Sequence, residues 1–289
     1  MTEDPFSDAS AWGRCRPSGP GGFWLRVARF FPGGWPWSRF ALLARRLARR
    51  RLSGPVDTRL WGLRLRLHPD RSVSEARILF MPRSWDRIER RLLREWIEPG
   101  FTFVDVGANV GAYSFWVLSL VGEEGRVVAV EPDPPLARQL RYNVRINGAG
   151  ERMRVVEAAV SASRGEGTLL LASRNSGENR LVGEGEGDVA APPNSAVPVR
   201  VITLADLVAE AGLDGIDCLK VDVEGREGDV IRPYIDGVPR SRWPRRMIVE
   251  LAHRPTGRES GPEELESWIT GRGYRLVRRT KLNGVFTLT

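Results

Sequence analysis

Cysteine is scarce in this chain, and long apolar runs are missing from it. The two cysteines, Cys15 and Cys218, are too few for a disulfide framework or a zinc cluster. No run approaches the ~18 consecutive apolar residues that a membrane-spanning helix requires, and the N-terminus lacks the basic-then-apolar layout of a secretory signal. These absences predict a globular, cytoplasmic protein, and a content of 42% apolar residues can supply its core.

Acidic residues are sparse in the first third of the chain. Residues 1–100 contain 20 Arg and 10 Asp or Glu, which gives this part a charge of +10. Because the whole chain has a net charge of +8, the other 189 residues together carry −2. We therefore interpret residues 1–55 as a basic, partly disordered extension that the rest of the fold does not need, and 56–100 as a strand-and-helix lead-in.

One amphipathic helix is predicted within this extension. In the segment 37–52, Phe40, Leu43 and Leu47 share one helical face and arginines occupy the others. We expect this apolar face to pack against the main domain, and the alternative is that the helix lies on an anionic membrane surface. Basic charge of this kind could also attract nucleic acid or a polyanionic carrier, but nothing in the sequence firmly indicates such a partner.

A dinucleotide fingerprint is also missing, although a nucleotide-type turn is present. Residues 101–114 (FTFVDVGANVGAYS) predict a buried strand, a glycine turn and a helix, and Gly107 and Gly111 would let backbone N–H groups approach a ligand. The fingerprint G-x-G-x-x-G would need glycines where Asn109 and Ala112 stand. Asp105, at the strand end, would repel a pyrophosphate but suits a cationic ligand without phosphate, such as S-adenosylmethionine. A plain glycine turn in another α/β protein is the alternative.

The next two predicted strands add candidate cofactor contacts. The strand 126–130 ends in Glu131-Pro132-Asp133, and Glu131 lies 20 residues beyond Gly111, where an acidic residue accepts hydrogen bonds from ribose hydroxyls. A third strand is predicted from Arg154 to Ala159. The predicted cofactor-binding residues are Asp105, Gly107, Asn109, Gly111, Glu131, Pro132 and Ala159.

Strands and helices alternate from residue 101 onward, which predicts a parallel, doubly wound sheet with right-handed crossovers. Residues 165–202 interrupt the alternation and could either cover the active site or form a surface excursion. Two last strands are predicted near Tyr274–Arg279 and Gly284–Leu288.

Two later strands end in carboxylates at the sheet edge where ligands bind. One ends in Lys220-Val221-Asp222-Val223-Glu224-Gly225, and the other in Glu250-Leu251-Ala252-His253. Each of these side chains could alternatively make a structural hydrogen bond or an ion pair, such as one between Lys220 and a neighbouring carboxylate.

With these segments in view, the chain resembles the FkbM family of S-adenosylmethionine-dependent methyltransferases from about residue 60 to the end. The resemblance rests on FVDVGANVGAYS, VVAVEPDP, LRYNVRINGA, VVEAAVS, DCLKVDVEGREGDVI and MIVELAHR, in this order. It implies a seven-stranded class I methyltransferase fold, with an antiparallel C-terminal hairpin, for residues 101–289. It also implies O-methylation of a sugar or another small molecule.

For such a reaction the protein must align an acceptor hydroxyl with the methyl group and remove its proton. Asp222, Glu224, Glu250 and His253 are the candidate bases and orienting groups. A divalent metal such as Mg²⁺, held by Asp222 and Glu250, could acidify the hydroxyl. Two rival functions are a binding module for RNA or a carrier, and an NAD-dependent oxidoreductase, which the missing fingerprint disfavours.

Overall fold

The computed structural model describes residues 4–7, 9–30, 37–171, 179–182, 196–252 and 261–289. The helices in these ranges are α1 (Gly19–Phe30), α2 (Trp37–Arg49), α3 (Val73–Phe80), α4 (Arg87–Trp96), α5 (Ala112–Leu118), α6 (Pro134–Ile146), α7 (Leu204–Ala211), α8 (Glu227–Gly237) and α9 (Pro262–Gly271). The strands are β1 (Val56–Leu60), β2 (Leu63–Leu67), β3 (Thr102–Val106), β4 (Arg126–Val130), β5 (Met153–Val156), β6 (Ala159–Val160), β7 (Gly165–Leu170), β8 (Arg180–Val182), β9 (Ala196–Ile202), β10 (Cys218–Val221), β11 (Arg246–Glu250), β12 (Tyr274–Arg279) and β13 (Asn283–Leu288).

A seven-stranded sheet in the order β12-β13-β11-β10-β3-β4-β5 forms the centre of the protein. Its strands β11, β10, β3, β4 and β5 are parallel neighbours. β13 runs antiparallel to both β11 and β12. This order confirms the predicted doubly wound sheet and its antiparallel C-terminal hairpin.

Apolar cores cover both faces of this sheet. In β3, Phe103 belongs to the core on one face, whereas Val104 and Val106 belong to the core on the other. Side chains of α5 and α6 pack into the first core, and those of α7, α8 and α9 pack into the second. Burial on both faces explains why the strand sequences read as continuous apolar runs.

The insertion 165–202 contributes to a second sheet, in the order β6-β9-β7-β8. The single strand predicted from Arg154 to Ala159 is in fact two strands. β5 ends at Val156 and pairs with β4, whereas β6 begins at Ala159 and pairs with β9. Residues 172–178 and 183–195 of the insertion lie outside the described residues.

Between the β1–β2 hairpin and β3, the structure contains a helix that we did not predict. Ser72 caps α3, because its hydroxyl oxygen accepts a hydrogen bond from the N–H of Ser74 at 3.1 Å. The next helix, α4, begins at Arg87, and the hydroxyl of Ser84 before it donates a hydrogen bond to the carbonyl of Met81.

The first residues of the chain are closely bonded to the β1–β2 hairpin, which differs from the expectation of a loosely docked extension. A buried ion pair joins Arg66 to Asp57 at 2.7 Å. The Asp57 carboxylate also accepts hydrogen bonds from the N–H groups of Gly13 and Cys15, at 2.7 and 2.8 Å. Arg66 donates in addition to the Ser10 hydroxyl and to the carbonyls of residues 5 and 11.

The two N-terminal helices pack on the first core through small residues. Ala28 of α1 and Ala44 and Ala48 of α2 are buried there, together with Leu25. We predicted that Phe40, Leu43 and Leu47 would form the packing face of α2. Leu47 is partly buried, but Phe40 and Leu43 are about half exposed, at 54% each. Within the described ranges, no helix is both long enough and apolar enough to cross a bilayer.

Candidate active site

A cavity of about 340 Å³ lies at the carboxyl edge of the central sheet. It is bounded by the residues that follow β3, β4, β10 and β11, by α3, and by Leu169 and Leu181 of the second sheet. The described part of the insertion therefore contributes to the cavity wall, and whether the whole insertion covers the site stays a prediction. A volume of this size is in the range of small-molecule sites.

Gly107 lets the turns after β3 and β10 touch. Its φ is +75°, and a Cβ at this position would lie 1.9 Å from the carbonyl oxygen of Asp222. The same turns are joined by a hydrogen bond of 3.1 Å from the N–H of Asp222 to the carbonyl of Val106. Gly107 therefore positions Asp222 as well as the cofactor turn.

The remainder of the glycine turn leads directly into α5. Asn109 and Gly111 both have positive φ, at +53° and +75°. A Cβ on Gly111 would lie 2.5 Å from the side chain of Leu140. The N–H groups of Gly107 and Ala108 donate to the carbonyl of Val130, at 3.1 and 2.9 Å, and so fix the turn against β4.

Glu131 follows β4 and faces the cavity, as predicted for a ribose-binding acid. Its two carboxylate oxygens accept one backbone hydrogen bond each, from Asn109 at 2.6 Å and from Asp133 at 3.0 Å. Burial raises the pKa of Glu131 to about 8, although these two N–H donors act in the opposite direction. Because a carboxylate offers about four acceptor positions, two remain for hydroxyl groups. Pro132 and Ala159 also line the cavity.

Asp105 lies below the cavity surface, where we had expected a direct contact with the cofactor. It is fully buried, and its carboxylate accepts a hydrogen bond of 2.6 Å from the hydroxyl of Ser114. Its other oxygen lies 3.2 Å from the Lys220 ammonium. Asp105 thus acts on the site through Lys220.

Lys220 links this buried carboxylate to the candidate catalytic residues. Its ammonium also lies 3.2 Å from a carboxylate oxygen of Asp222. Burial alone would lower the pKa of Lys220, but Asp105 and Asp222 outweigh it and raise the pKa. The ammonium lies 5.3 Å from the ring centroid of Tyr113 and packs on that ring. Lys220 is therefore a fixed positive charge below the cavity.

Three of the predicted catalytic residues come together above Lys220. One carboxylate oxygen from each of Asp222, Glu224 and Glu250 lies within 4.8 Å of the other two. Burial and the negative charge of Asp222 raise the pKa of Glu250 well above its usual range. The fourth predicted residue, His253, lies outside the described residues.

Glu227 holds the loop that carries this cluster, a role that we did not predict. One of its carboxylate oxygens accepts hydrogen bonds from the N–H groups of Val223 and Gly225, both at 3.1 Å. Between these two donors, Glu224 adopts a left-handed backbone with φ +59°. Burial raises the pKa of Glu227 to about 7. The sequence carried a signal for this role, because Glu227 lies within the segment DCLKVDVEGREGDVI, three residues after Glu224.

A further wall of the cavity comes from the segment that we had interpreted only as a lead-in. Arg77 of α3 pairs with Asp86 at 3.1 Å, and Asp86 accepts a hydrogen bond of 3.0 Å from the hydroxyl of Tyr113. Leu282 and Asn283, from the C-terminal hairpin, complete this side. No sequence pattern marked these residues, because they reach the cavity only through tertiary packing.

The cavity suits S-adenosylmethionine better than a phosphate-bearing nucleotide. Five acidic and three basic side chains line it among the described residues: Asp86, Glu131, Asp222, Glu224 and Glu250 against Arg77, Lys220 and Arg226. Burial raises the pKa of Glu131 and of Glu250, so both hold protons in the empty cavity and the lining is close to neutral there. A cationic ligand would favour the ionised forms of these two groups, whereas a phosphate would oppose them. Glu131 is in place for the ribose hydroxyls, and the sulfonium would carry the positive charge.

The strand order, the glycine turn and the acid after β4 together define the class I methyltransferases. Comparisons with known sequences agree with this class. The family profile of the methyltransferase FkbM domain matches residues 105–276, more than half of the chain, and the chain therefore belongs to this family of S-adenosylmethionine-dependent methyltransferases.

Three characterised relatives illustrate the similarity. The 31-O-demethyl-FK506 methyltransferase FkbM of Streptomyces tacrolimicus is 30% identical over 234 residues, covering 71% of this chain and 84% of the relative. The 2-O-methyltransferase NoeI of Sinorhizobium fredii is 28% identical over 173 residues, covering 56% of this chain and 69% of the relative. Methyltransferase sdnD of Sordaria araneosa is 26% identical, covering 61% and 74%.

Proposed function

We propose that this methyltransferase transfers the methyl group to a hydroxyl oxygen of a sugar or another small molecule. The observation that carries the proposal is the cluster of Asp222, Glu224 and Glu250 beside Lys220, in the same cavity as Glu131. An alcohol needs to lose its proton to become a good nucleophile, and such a cluster supplies a base. Two relatives, the FkbM and NoeI enzymes, are named for methylation at oxygen, which supports this choice.

Asp222 is the base in this proposal. The cofactor supplies an electrophilic methyl group when it is bound. As the new C–O bond forms and the C–S bond breaks, the hydroxyl proton passes to the carboxylate of Asp222. The ammonium of Lys220, 3.2 Å away, favours the ionised form of Asp222 before the reaction.

Glu250 has a different role from Asp222 because its environment differs. It is nearly buried, and the charge of Asp222 opposes its ionisation, so it retains its proton at neutral pH. A protonated Glu250 can donate a hydrogen bond to the acceptor oxygen or to Asp222. Asp222, beside the Lys220 ammonium, is therefore placed to accept a proton, and the buried Glu250 is placed to donate one.

The same donor set could hold a divalent cation, which is the alternative route to an acidic hydroxyl. Three carboxylate oxygens within 4.8 Å of one another are the hard ligands that Mg²⁺ prefers. The raised pKa of Glu250 opposes this, since a ligand carboxylate must be ionised.

Transfer of a labelled methyl group tests the proposed function. S-Adenosylmethionine with an isotopically labelled methyl is incubated with the protein and a panel of hydroxyl-bearing sugars and secondary metabolites. We expect the label on an oxygen of the product and no transfer to the matching deoxy compound. Label on nitrogen or carbon would refute the proposal. Activity that survives a chelator supports direct base catalysis, and activity that Mg²⁺ restores after chelation supports the metal route.

A further inference from the structure

The outer surface of α2 presents large apolar side chains and arginines to solvent. The α2 outer face consists of Arg39, Leu42, Leu43, Arg46, Arg49 and Arg50, all of them exposed. Leu42 and Leu43 are 46% and 54% exposed. A helix on the surface of a globular protein ordinarily turns its large apolar residues toward the core. Here the core contact is made by Ala44 and Ala48, and the leucines point outward.

The neighbouring helix α1 repeats this arrangement. Its inner face combines Leu25 with small residues, among them Gly21, Gly22 and Ala28, whereas Phe23 is 51% exposed. Arg26 lies one turn further along the same side and is exposed. Both helices therefore carry an exposed large apolar side chain next to an exposed arginine.

The charge of this region is of one sign. Residues 9–56 contain ten arginines and no aspartate or glutamate. Among the described residues, Arg39, Arg46 and Arg49 make no ion pair with an acidic side chain. Residues 9–56 therefore contribute no carboxylate that would repel an anionic surface.

We propose that the α2 outer face docks on the surface of an anionic phospholipid bilayer. The arginines would bind lipid phosphates, and Leu42 and Leu43 would enter the boundary between headgroups and acyl chains, with the helix parallel to the membrane plane. The observation that selects lipid over RNA is the leucine pair. Exposed aliphatic side chains contribute nothing to a phosphodiester backbone, whereas a lipid interface buries them.

The α2 outer face is linked to the active site through contacts of α1 and α2 with α3 and Met81. Arg29 of α1 donates to the carbonyl of Leu79 in α3 at 2.6 Å, and Arg45 of α2 contacts Met81 just beyond α3. The first turns of α3 contribute Ser74 and Arg77 to the cavity. Both α1 and α2 therefore contact α3 or the residue just beyond it, and α3 forms one wall of the cavity.

Vesicle co-sedimentation of the full chain tests the proposal. Vesicles of phosphatidylcholine containing roughly 30% phosphatidylglycerol are compared with pure phosphatidylcholine, because an anionic surface attracts each Lys or Arg by about 1 kcal/mol. We expect binding to the anionic vesicles that weakens as salt is added, and little binding to the neutral ones. Equal binding to both compositions, or to neither, would overturn the proposal.

Two variants separate charge from insertion. The triple change Arg39→Gln, Arg46→Gln and Arg49→Gln should reduce partitioning onto anionic vesicles about 100-fold, from about 1 kcal/mol for each arginine. The double change Leu42→Gln and Leu43→Gln keeps the charge and uses a good helix former, and should reduce partitioning roughly 10-fold. A leucine variant that binds like the parent would contradict insertion of this face.

A matched control removes three exposed arginines elsewhere, by the changes Arg94→Gln, Arg275→Gln and Arg278→Gln. Their side chains lie on α4 and β12. This control removes the same number of charges but leaves the α2 outer face intact, so it should retain vesicle binding within about twofold. A loss as large as that of the α2 variant would show attraction by net charge alone. Binding of a homopolymeric RNA with no binding of vesicles would favour nucleic acid and would refute the lipid assignment.

Discussion

The turns after β3 and β10 can touch because the side chain of Gly107 is only a hydrogen atom. We predict that Gly107→Ala lowers the free energy of unfolding by about 2–4 kcal/mol, through the positive φ and the clash with the Asp222 carbonyl at 1.9 Å. Gly148→Ala is the matched control, because Gly148 has φ +61° but no atom within 4 Å of an added Cβ. It should cost about 1–2 kcal/mol for backbone strain alone. Urea midpoints measure both, and equal losses would contradict the proposed contact.

Glu131 provides a second prediction at the level of one residue. Glu131 holds a proton in the empty cavity, but the hydroxyl donors and positive charge of S-adenosylmethionine favour its ionised form once the cofactor is bound. Glu131→Ala removes two hydrogen bonds from ribose hydroxyls to this carboxylate, and we expect affinity for S-adenosylmethionine to fall about 30-fold to 1,000-fold. Glu157→Ala is the control, because Glu157 follows β5 but pairs with Arg141 outside the cavity. Titration calorimetry of both variants is the measurement. Parental affinity in Glu131→Ala would show that the ribose assignment is wrong.

Among the structural elements, the β1–β2 hairpin and the N-terminal segment depend on each other. The contacts of Arg66 and Asp57 with residues 5–15 change our expectation that residues 1–55 are dispensable, and the boundary at residue 55 stays a prediction. A chain that begins at Ser53 should unfold at a lower urea concentration than one that begins at Asp4. The shorter chain keeps the ion pair between Arg66 and Asp57 but removes their hydrogen-bond partners, and each buried polar group left without a partner costs about 1–3 kcal/mol. Equal midpoints for the two chains would restore the original expectation.

The sequence predicted the central sheet well and its N-terminal surroundings poorly. β3 and β10 are buried on both faces, so their apolar runs are unambiguous. Helix α3 was missed although Ser72 and Glu75 have the spacing of a capping box; Glu75 instead accepts a hydrogen bond from the N–H of His68. The face of α2 was predicted wrongly because periodicity shows that a helix has two faces but not which one is buried.

The sequence predicted those residues of the candidate site that lie at the carboxyl ends of parallel strands. Glu131, Asp222 and Glu250 all face the cavity, because the carboxyl ends of parallel strands meet at one edge. Asp105 could not be placed from sequence, since its burial beneath Lys220 depends on the register of β3 and β10, in which the two residues are paired. Arg77 and Asp86 reach the cavity from outside the parallel strands, and no spacing of residues in the sequence predicts that position.

For the molecule as a whole, buried carboxyl groups predict how stability depends on pH. Burial raises the pKa of Glu75 and of Glu227 to about 7 and that of Glu131 to about 8. In this window the folded state binds more protons than the unfolded state, so stability should fall as pH rises from about 5 to 8. Urea midpoints at three pH values test this. Constant or rising midpoints would contradict the burial of these groups in their protonated form.

The central claim is that Asp222 removes the proton of an acceptor hydroxyl beside bound S-adenosylmethionine. The most direct test is the turnover of Asp222→Asn on an acceptor found by methyl labelling, with cofactor affinity measured on the same sample. We expect turnover to fall about 10²-fold to 10⁴-fold while cofactor affinity changes little. The control is Asp236→Asn, since Asp236 is exposed and pairs with Arg272 at 2.6 Å. Parental turnover in Asp222→Asn would remove Asp222 from the mechanism.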